Sequence, residues 1–321
     1  MIRVLLLSAI GIAFSFSAFA GPPRIHNHAP EFVKFWDKVK DLPLTQQIQE
    51  FERMIYPTFP EFYAYRFKRW QEQGKTKEEG LKKAFDDYRA MHTQFAQKTA
   101  SISNEIHENL VIFLKHFPDF TTDFDIHIIH SLGEMDGGTR TIDGNFYFIF
   151  GIDGILKYHN ASTDVPFFHH ELFHMYHWQF FKGEEKMWYA LWAEGLATYV
   201  SEALNPGSSL RDIMLDIPEG LVKACEEDMA YLWFDFQSVL DTSDEAAYER
   251  YFLLSSKDPR VPRRAGYYLG YIVAKELAQK YTLDELTKMD AADLRKRIGK
   301  VIDAKIGEST SAPFESLQRA I

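Results

Sequence analysis

The feature that most limits how this chain can fold is His170-Glu171-Leu172-Phe173-His174, set in the aromatic stretch from Pro166 to His177. Residues four apart on an α-helix lie nearly one above the other, so a helix here turns two imidazoles toward one point in space. Two such nitrogens begin a zinc chelate, and Glu171, one step round, stands beside the metal as a base for water. Ser162-Thr163-Asp164 ahead of Pro166 reads as an N-cap with proline in the first turn, and Lys182-Gly183 as the helix end. The motif therefore sits mid-helix.

A tetrahedral catalytic zinc takes a third protein ligand and keeps one position open for water. Glu194 is the candidate, on a second helical pattern from Trp188 to about Leu204 that Asn205-Pro206-Gly207 stops. Nineteen residues separate His174 from Glu194, enough for one helix to end, turn near Gly183 and bring a carboxylate back.

His-Glu-x-x-His followed by a glutamate in Trp192-Ala-Glu194-Gly195-Leu-Ala197 resembles the gluzincin metallopeptidases, which include the thermolysin-like and aminopeptidase-N-like enzymes. Within that group the chain looks most like bacterial predicted zinc-dependent proteases with a helix-rich body. The likeness spans residues 143–204, with a weaker echo at 264–277. It implies an exported zinc peptidase with one Zn2+ per chain, His170, His174 and Glu194 as ligands and Glu171 as general base. In thermolysin-like enzymes an aspartate one turn past the third ligand orients a zinc-bound histidine; here that position is Thr198, leaving Glu202 or Asp164 as candidates for the carboxylate. A metzincin site would need glycine at 177 and histidine at 180, where the chain has His177 and Phe180.

Residues 1–20 read as a secretory signal peptide: Arg3, an apolar run from Val4 to Phe14, then Ala18-Phe19-Ala20 before Gly21-Pro22. Cleavage after Ala20 leaves no stable membrane anchor, and together with the likeness to bacterial proteases it implies a periplasmic or secreted location. The net charge of −10 disfavours nucleic acid as a partner. Cys225, the single cysteine, is expected as a small buried hydrophobe.

Residues 21–120 carry apolar and aromatic side chains at helical spacing, as in Phe32-Phe35-Trp36 and Phe51-Met54-Ile55, broken by Pro43, Pro57 and Pro60. The charged stretch Gln71–Gly80 reads as a solvated turn, and Arg66, Lys68 and Arg69 as a solvated face around a packed Trp70. His26 and His28 are assigned to a flexible end. In residues 121–205, the expected catalytic core, the period first changes to alternation: Phe124–Ile128 is a strand, and Thr139–Ile142, Asp143-Gly144 and Asn145–Phe150 form a hairpin. By the gluzincin likeness, 146–151 is the candidate edge strand to which an extended peptide adds. His127, His130, His169 and His177 are assigned to packing.

Residues 206–321 return to helix, with breaks near Pro218, at Asp241–Asp244 and at Asp258-Pro259. The glycine-loosened stretch from Pro262 to Leu277 holds three tyrosines. Peptide hydrolysis builds a negative oxygen that a phenol can stabilise, and related gluzincins draw such a donor from a downstream segment; Tyr268 and Tyr271 are the candidates, with Tyr267 behind them. Arg263 or Arg264 can bind a peptide carboxylate. The sequence thus predicts an α+β, predominantly helical protein with a small sheet before the zinc helix and a helical region completing a cleft, hydrolysing peptide or protein substrates. Its rivals are a non-catalytic zinc-binding protein on a peptidase fold and a metal-free exported interaction protein.

Overall fold

A computed structural model describes residues 23–121, 124–159, 163–181 and 186–318, the last ten as backbone alone. The signal peptide at 1–20, Ser162 and the helix end at Lys182-Gly183 lie outside the described residues. The protein is α+β and predominantly helical. It forms two compact units that part near residue 161, inside the 121–205 core expected from sequence. The sheet belongs with the N-terminal helices, and the two motif helices belong with the C-terminal ones.

In the first unit, β1 (Arg24–Asn27) leads into α1 (Ala29–Val39), α2 (Leu44–Met54), a 3-10 turn at Tyr56–Thr58, α3 (Pro60–Glu72) and α4 (Lys77–His116). Pro43 caps α2, and Pro60 opens α3, where a missing N–H costs nothing. The charged turn is shorter than expected. Thr76 and Glu79 form a reciprocal capping box that starts α4 at Lys77. Arg66 also departs from the solvated face: it is buried, ion-paired to Glu134 at 2.7 Å and stacked on Trp70.

The sheet continues with β2 (Asp125–Ile129), β3 (Thr139–Ile142) and β4 (Asn145–Gly151), followed by α5 (Ile152–His159). Its order is β1-β2-β4-β3, parallel except for the β3–β4 hairpin. Asp143 and Gly144 both have positive φ, 50° and 83°, as the tight turn requires. The edge-strand expectation for 146–151 is corrected: β4 is flanked by β2 and β3, so its backbone groups are already paired. The flexible-end assignment is corrected too. Asp125 takes both Arg24, through two bonds of 2.9 and 3.0 Å, and His26 at 3.0 Å, which holds β1 on β2.

That pairing stacks His127 on His26 and on Phe59, with ring centroids 5.0 and 4.4 Å apart, and on His28 at 5.7 Å. Burial, then the neighbouring charges of His26 and His28, pushes His127 down to about 4. Burial likewise lowers His28 and His130. A histidine whose folded pKa lies below the unfolded value near 6.5 is protonated more readily in the unfolded chain. Stability present above pH 6.5 is therefore lost as pH falls through about 4. The thermal midpoint, followed by circular dichroism, is expected to fall across this window, and His127→Phe, which keeps a ring in the stack, to flatten the fall. Parallel pH profiles for variant and wild type would remove His127 from this account.

The second unit contains α6 (Val165–Phe180), α7 (Met187–Leu204), an irregular segment at 205–220, α8 (Leu221–Glu226), α9 (Met229–Val239), α10 (Glu245–Phe252), α11 (Ala265–Ala278), α12 (Leu283–Thr287) and α13 (Ala291–Gln318). The three expected breaks fall between helices. Cys225 is buried as expected, and burial raises its thiol to about 12, which leaves it unreactive. No helix among the described residues is long and apolar enough to cross a membrane.

Helix α7 packs on both α6 and α11. Its crossing with α11 is made glycine on glycine: a Cβ on Gly195 would lie 2.1 Å from the Gly270 carbonyl carbon, and one on Gly270 would lie 2.1 Å from the Leu191 oxygen. Only residues without a side chain allow the backbones so close. The consequence is positional, because Gly195 follows Glu194 directly and Gly270 lies one turn beyond Tyr267.

Candidate metal centre

Helix α6 starts at Asp164 with proline in its first turn, although Asp164 makes no side-chain cap bond. Phe167, Phe168, Leu172, Phe173 and Tyr176 are buried around it, so it is enclosed on more than one face. Two bonds fix its register against α7. The Ser201 hydroxyl donates to the Pro166 carbonyl at 2.9 Å, and the Asn205 amide donates to His169 Nδ1 at 2.9 Å. The first N–H groups of α7, on Met187 and Trp188, are taken by the carbonyls of Thr242 and Leu240.

This register brings His170, His174 and Glu194 together. The two Nε2 atoms are 2.9 Å apart, and Glu194 Oε2 lies 3.3 Å from His170 and 3.4 Å from His174. Ligand atoms bonded tetrahedrally to zinc at about 2.0–2.1 Å stand about 3.3 Å from one another, so the triangle has the size of a zinc site's face. The donor set agrees. Glu194 Oε2 is buried without a hydrogen-bond partner, and two imidazole nitrogens converge on it. One cation on the triangle would satisfy all three atoms. Among the described residues this is the sole cluster of three or more metal-ligating groups.

The electrostatics couple the three groups. Burial, reinforced by His174, pushes His170 down to about 4. Burial also works against a charge on His174, but the Glu194 carboxylate overrides it and raises the pKa. Glu194, whose burial would favour the acid form, is held well below the usual carboxylate range by the two histidines. A carboxylate and a neutral His170 are the forms a divalent cation binds.

Glu171 lies on the same turn, half-buried and outside the ligand triangle; its charge reaches His174 and Tyr267. The downstream tyrosines sort differently from the sequence expectation. The Tyr268 hydroxyl donates to Glu226 at 3.0 Å, and the Tyr271 hydroxyl donates to Glu202 at 2.7 Å while accepting from Lys275. Neither is brought to the triad. Tyr267 is: its ring stacks beside His170 at 6.4 Å, and burial followed by the Glu194 charge raises its phenol well above 10. Position along and around α11 explains the difference: Tyr271, one turn beyond Tyr267 on the same face, meets Glu202 near the end of α7, while Tyr268, a step of about 100° round, turns to Glu226.

Among the described residues no carboxylate is hydrogen-bonded to His170 Nδ1. That nitrogen is buried without a partner, Glu202 is engaged by Tyr271 and Lys275, and Thr198 instead donates back to the Glu194 carbonyl at 2.8 Å. His177 packs between Phe173 and Phe181, and His130 stacks on Phe32 at 4.0 Å, as expected of packed histidines. Tyr189 went unnoticed in the sequence. It stacks on Phe181 at 5.4 Å, and burial with the nearby Glu194 raises it to about 12.

No protein-family model, curated protein or solved structure matches this chain. The chemistry of the centre rests on its own geometry.

Proposed function

We propose that the protein is a zinc-dependent peptidase of gluzincin type, exported from a bacterial cell. The observation that carries this reading is the 2.9–3.4 Å triangle of two imidazole nitrogens and one carboxylate oxygen with Glu171 on the adjoining helical step. His170, His174 and Glu194 would hold the ion. Zinc bound there supplies Lewis acidity toward a peptide carbonyl and toward water. Glu171 accepts the water proton and returns it to the leaving amine. The Tyr267 phenol, which makes no hydrogen bond within the described chain, donates to the oxygen on which negative charge develops. Three ligand groups among the described residues, rather than four, favour a catalytic over a structural site.

The test is zinc per chain by elemental analysis after dialysis against a mild chelator. The wild type is expected to keep about one zinc, and His174→Ala and Glu194→Ala to lose it. Tyr267→Phe should keep the metal and lose about 10²-fold in turnover on a mixed peptide pool, while Tyr268→Phe and Tyr271→Phe stay near the wild type. A wild type that takes up no zinc after reconstitution would sink the reading.

A further inference from the structure

Arg264 carries a charge that the described chain leaves unneutralised. It is the N-cap of α11 and holds φ at 65°, a left-handed conformation that side chains other than glycine and asparagine rarely take. Strained residues of this kind cluster where a side chain must be aimed. The aim is specific: its guanidinium carbon lies 4.0 Å over the Tyr267 ring, Nη1 donates to the Ile217 carbonyl at 3.4 Å, and its charge reaches His170.

Other arginines of this unit have acids. Arg250 pairs with Asp235 and Asp258, Arg260 with Asp228, and Arg295 with Asp241. Arg263, the neighbour, is exposed and donates to the Ser256 carbonyl. Arg264 is half-buried, and no carboxylate pairs with it among the described residues. A partly desolvated guanidinium is costly unless an anion meets it, and its planar fork suits a carboxylate with two parallel bonds. Stacking on Tyr267, the ring that lies beside His170, orients that fork.

We propose that Arg264 binds a carboxylate of the substrate, so that the site selects peptides carrying a free carboxylate close to the bond that is cut. This rests on the peptidase reading above. The carboxylate is either the peptide's C-terminus or an acidic side chain.

Three pools of N-acetylated tetrapeptides distinguish the sources: a free-acid pool without Asp or Glu, its C-terminal amide, and an amide pool with Glu at the last position. Each is given to zinc-loaded wild type, Arg264→Gln, Arg264→Lys and Arg263→Gln, with cleavage read by mass spectrometry. Binding of the same pools to zinc-loaded Glu171→Gln chain, with and without Arg264→Gln, is read by calorimetry. Thermal unfolding checks that each variant is folded, and Arg264→Lys keeps the charge should Arg264→Gln fold poorly.

One carboxylate-bearing pool is expected to be cleaved about 10- to 100-fold more efficiently than the neutral amide, the loss typical of a charge-assisted hydrogen bond. Arg264→Gln should erase that gap, mainly through KM; Arg264→Lys should restore part of it, and Arg263→Gln should leave it intact. Preference for the free acid identifies the C-terminus, and preference for the Glu amide identifies a side chain. Equal cleavage of all pools, or a gap that survives Arg264→Gln, overturns the proposal alone. No cleavage of any pool overturns the peptidase reading, and the calorimetry then decides Arg264: equal binding of the acid and neutral pools removes the carboxylate site.

Discussion

Glu171→Gln is expected to lower peptide hydrolysis by about 10³-fold while leaving one zinc per chain. The magnitude follows from general acid–base catalysis, which contributes about 10²- to 10⁴-fold. Glutamine has nearly the shape of glutamate but cannot take a proton, so the change removes a function with little change of volume. The metal should stay because the ligand triangle consists of His170, His174 and Glu194 and excludes Glu171. Turnover on a mixed peptide pool beside zinc analysis of the same sample makes the measurement. Activity within about tenfold of the wild type would mean that another group is the base.

The second large effect is expected at the crossing of α7 and α11. Gly270→Ala places a methyl 2.1 Å from the Leu191 carbonyl oxygen and 2.9 Å from the Gly195 Cα, both backbone atoms that cannot swing aside. The helices must separate, and overpacking of this kind costs about 3 kcal/mol, the upper end of the usual range. Denaturant unfolding should show the loss. Gly307→Ala, where an added Cβ meets nothing within 4 Å, should instead be neutral or gain up to about 1 kcal/mol from helix propensity.

The same substitution separates metal binding from catalysis. His170, His174 and Glu194 lie on α6 and α7, whose register is set by Ser201 on Pro166 and Asn205 on His169. Tyr267 and Arg264 reach the centre from α11, across the glycine contact. Folded Gly270→Ala protein should therefore hold zinc like the wild type yet lose hydrolysis. Zinc loss in step with activity would show that the crossing supports the ligand helices themselves.

His-Glu-x-x-His at helical spacing, proline in the first turn of α6 and the Asn-Pro-Gly stop after α7 are local signals, and their elements form as the residues alone dictate. So does the hairpin, because Asp143-Gly144 can adopt the positive φ values that join β3 to β4. The place of Glu194 was also readable, as a carboxylate that the returning helix brings beside His170 and His174.

Tertiary structure alone decided the rest. Whether β4 is an edge or an interior strand depends on β2 pairing beside it, and β1 exists because Asp125 holds Arg24 and His26 from about a hundred positions away. No spacing within either segment encodes that contact. Which of three neighbouring tyrosines reaches the triad depends on how α11 is rotated about its axis and placed along α7. Both are set by Gly270 meeting Gly195. Side chains one residue apart differ by about 100° around a helix, so the sequence identifies the chemistry available on α11 and the helix packing selects the side chains that reach His170, His174 and Glu194.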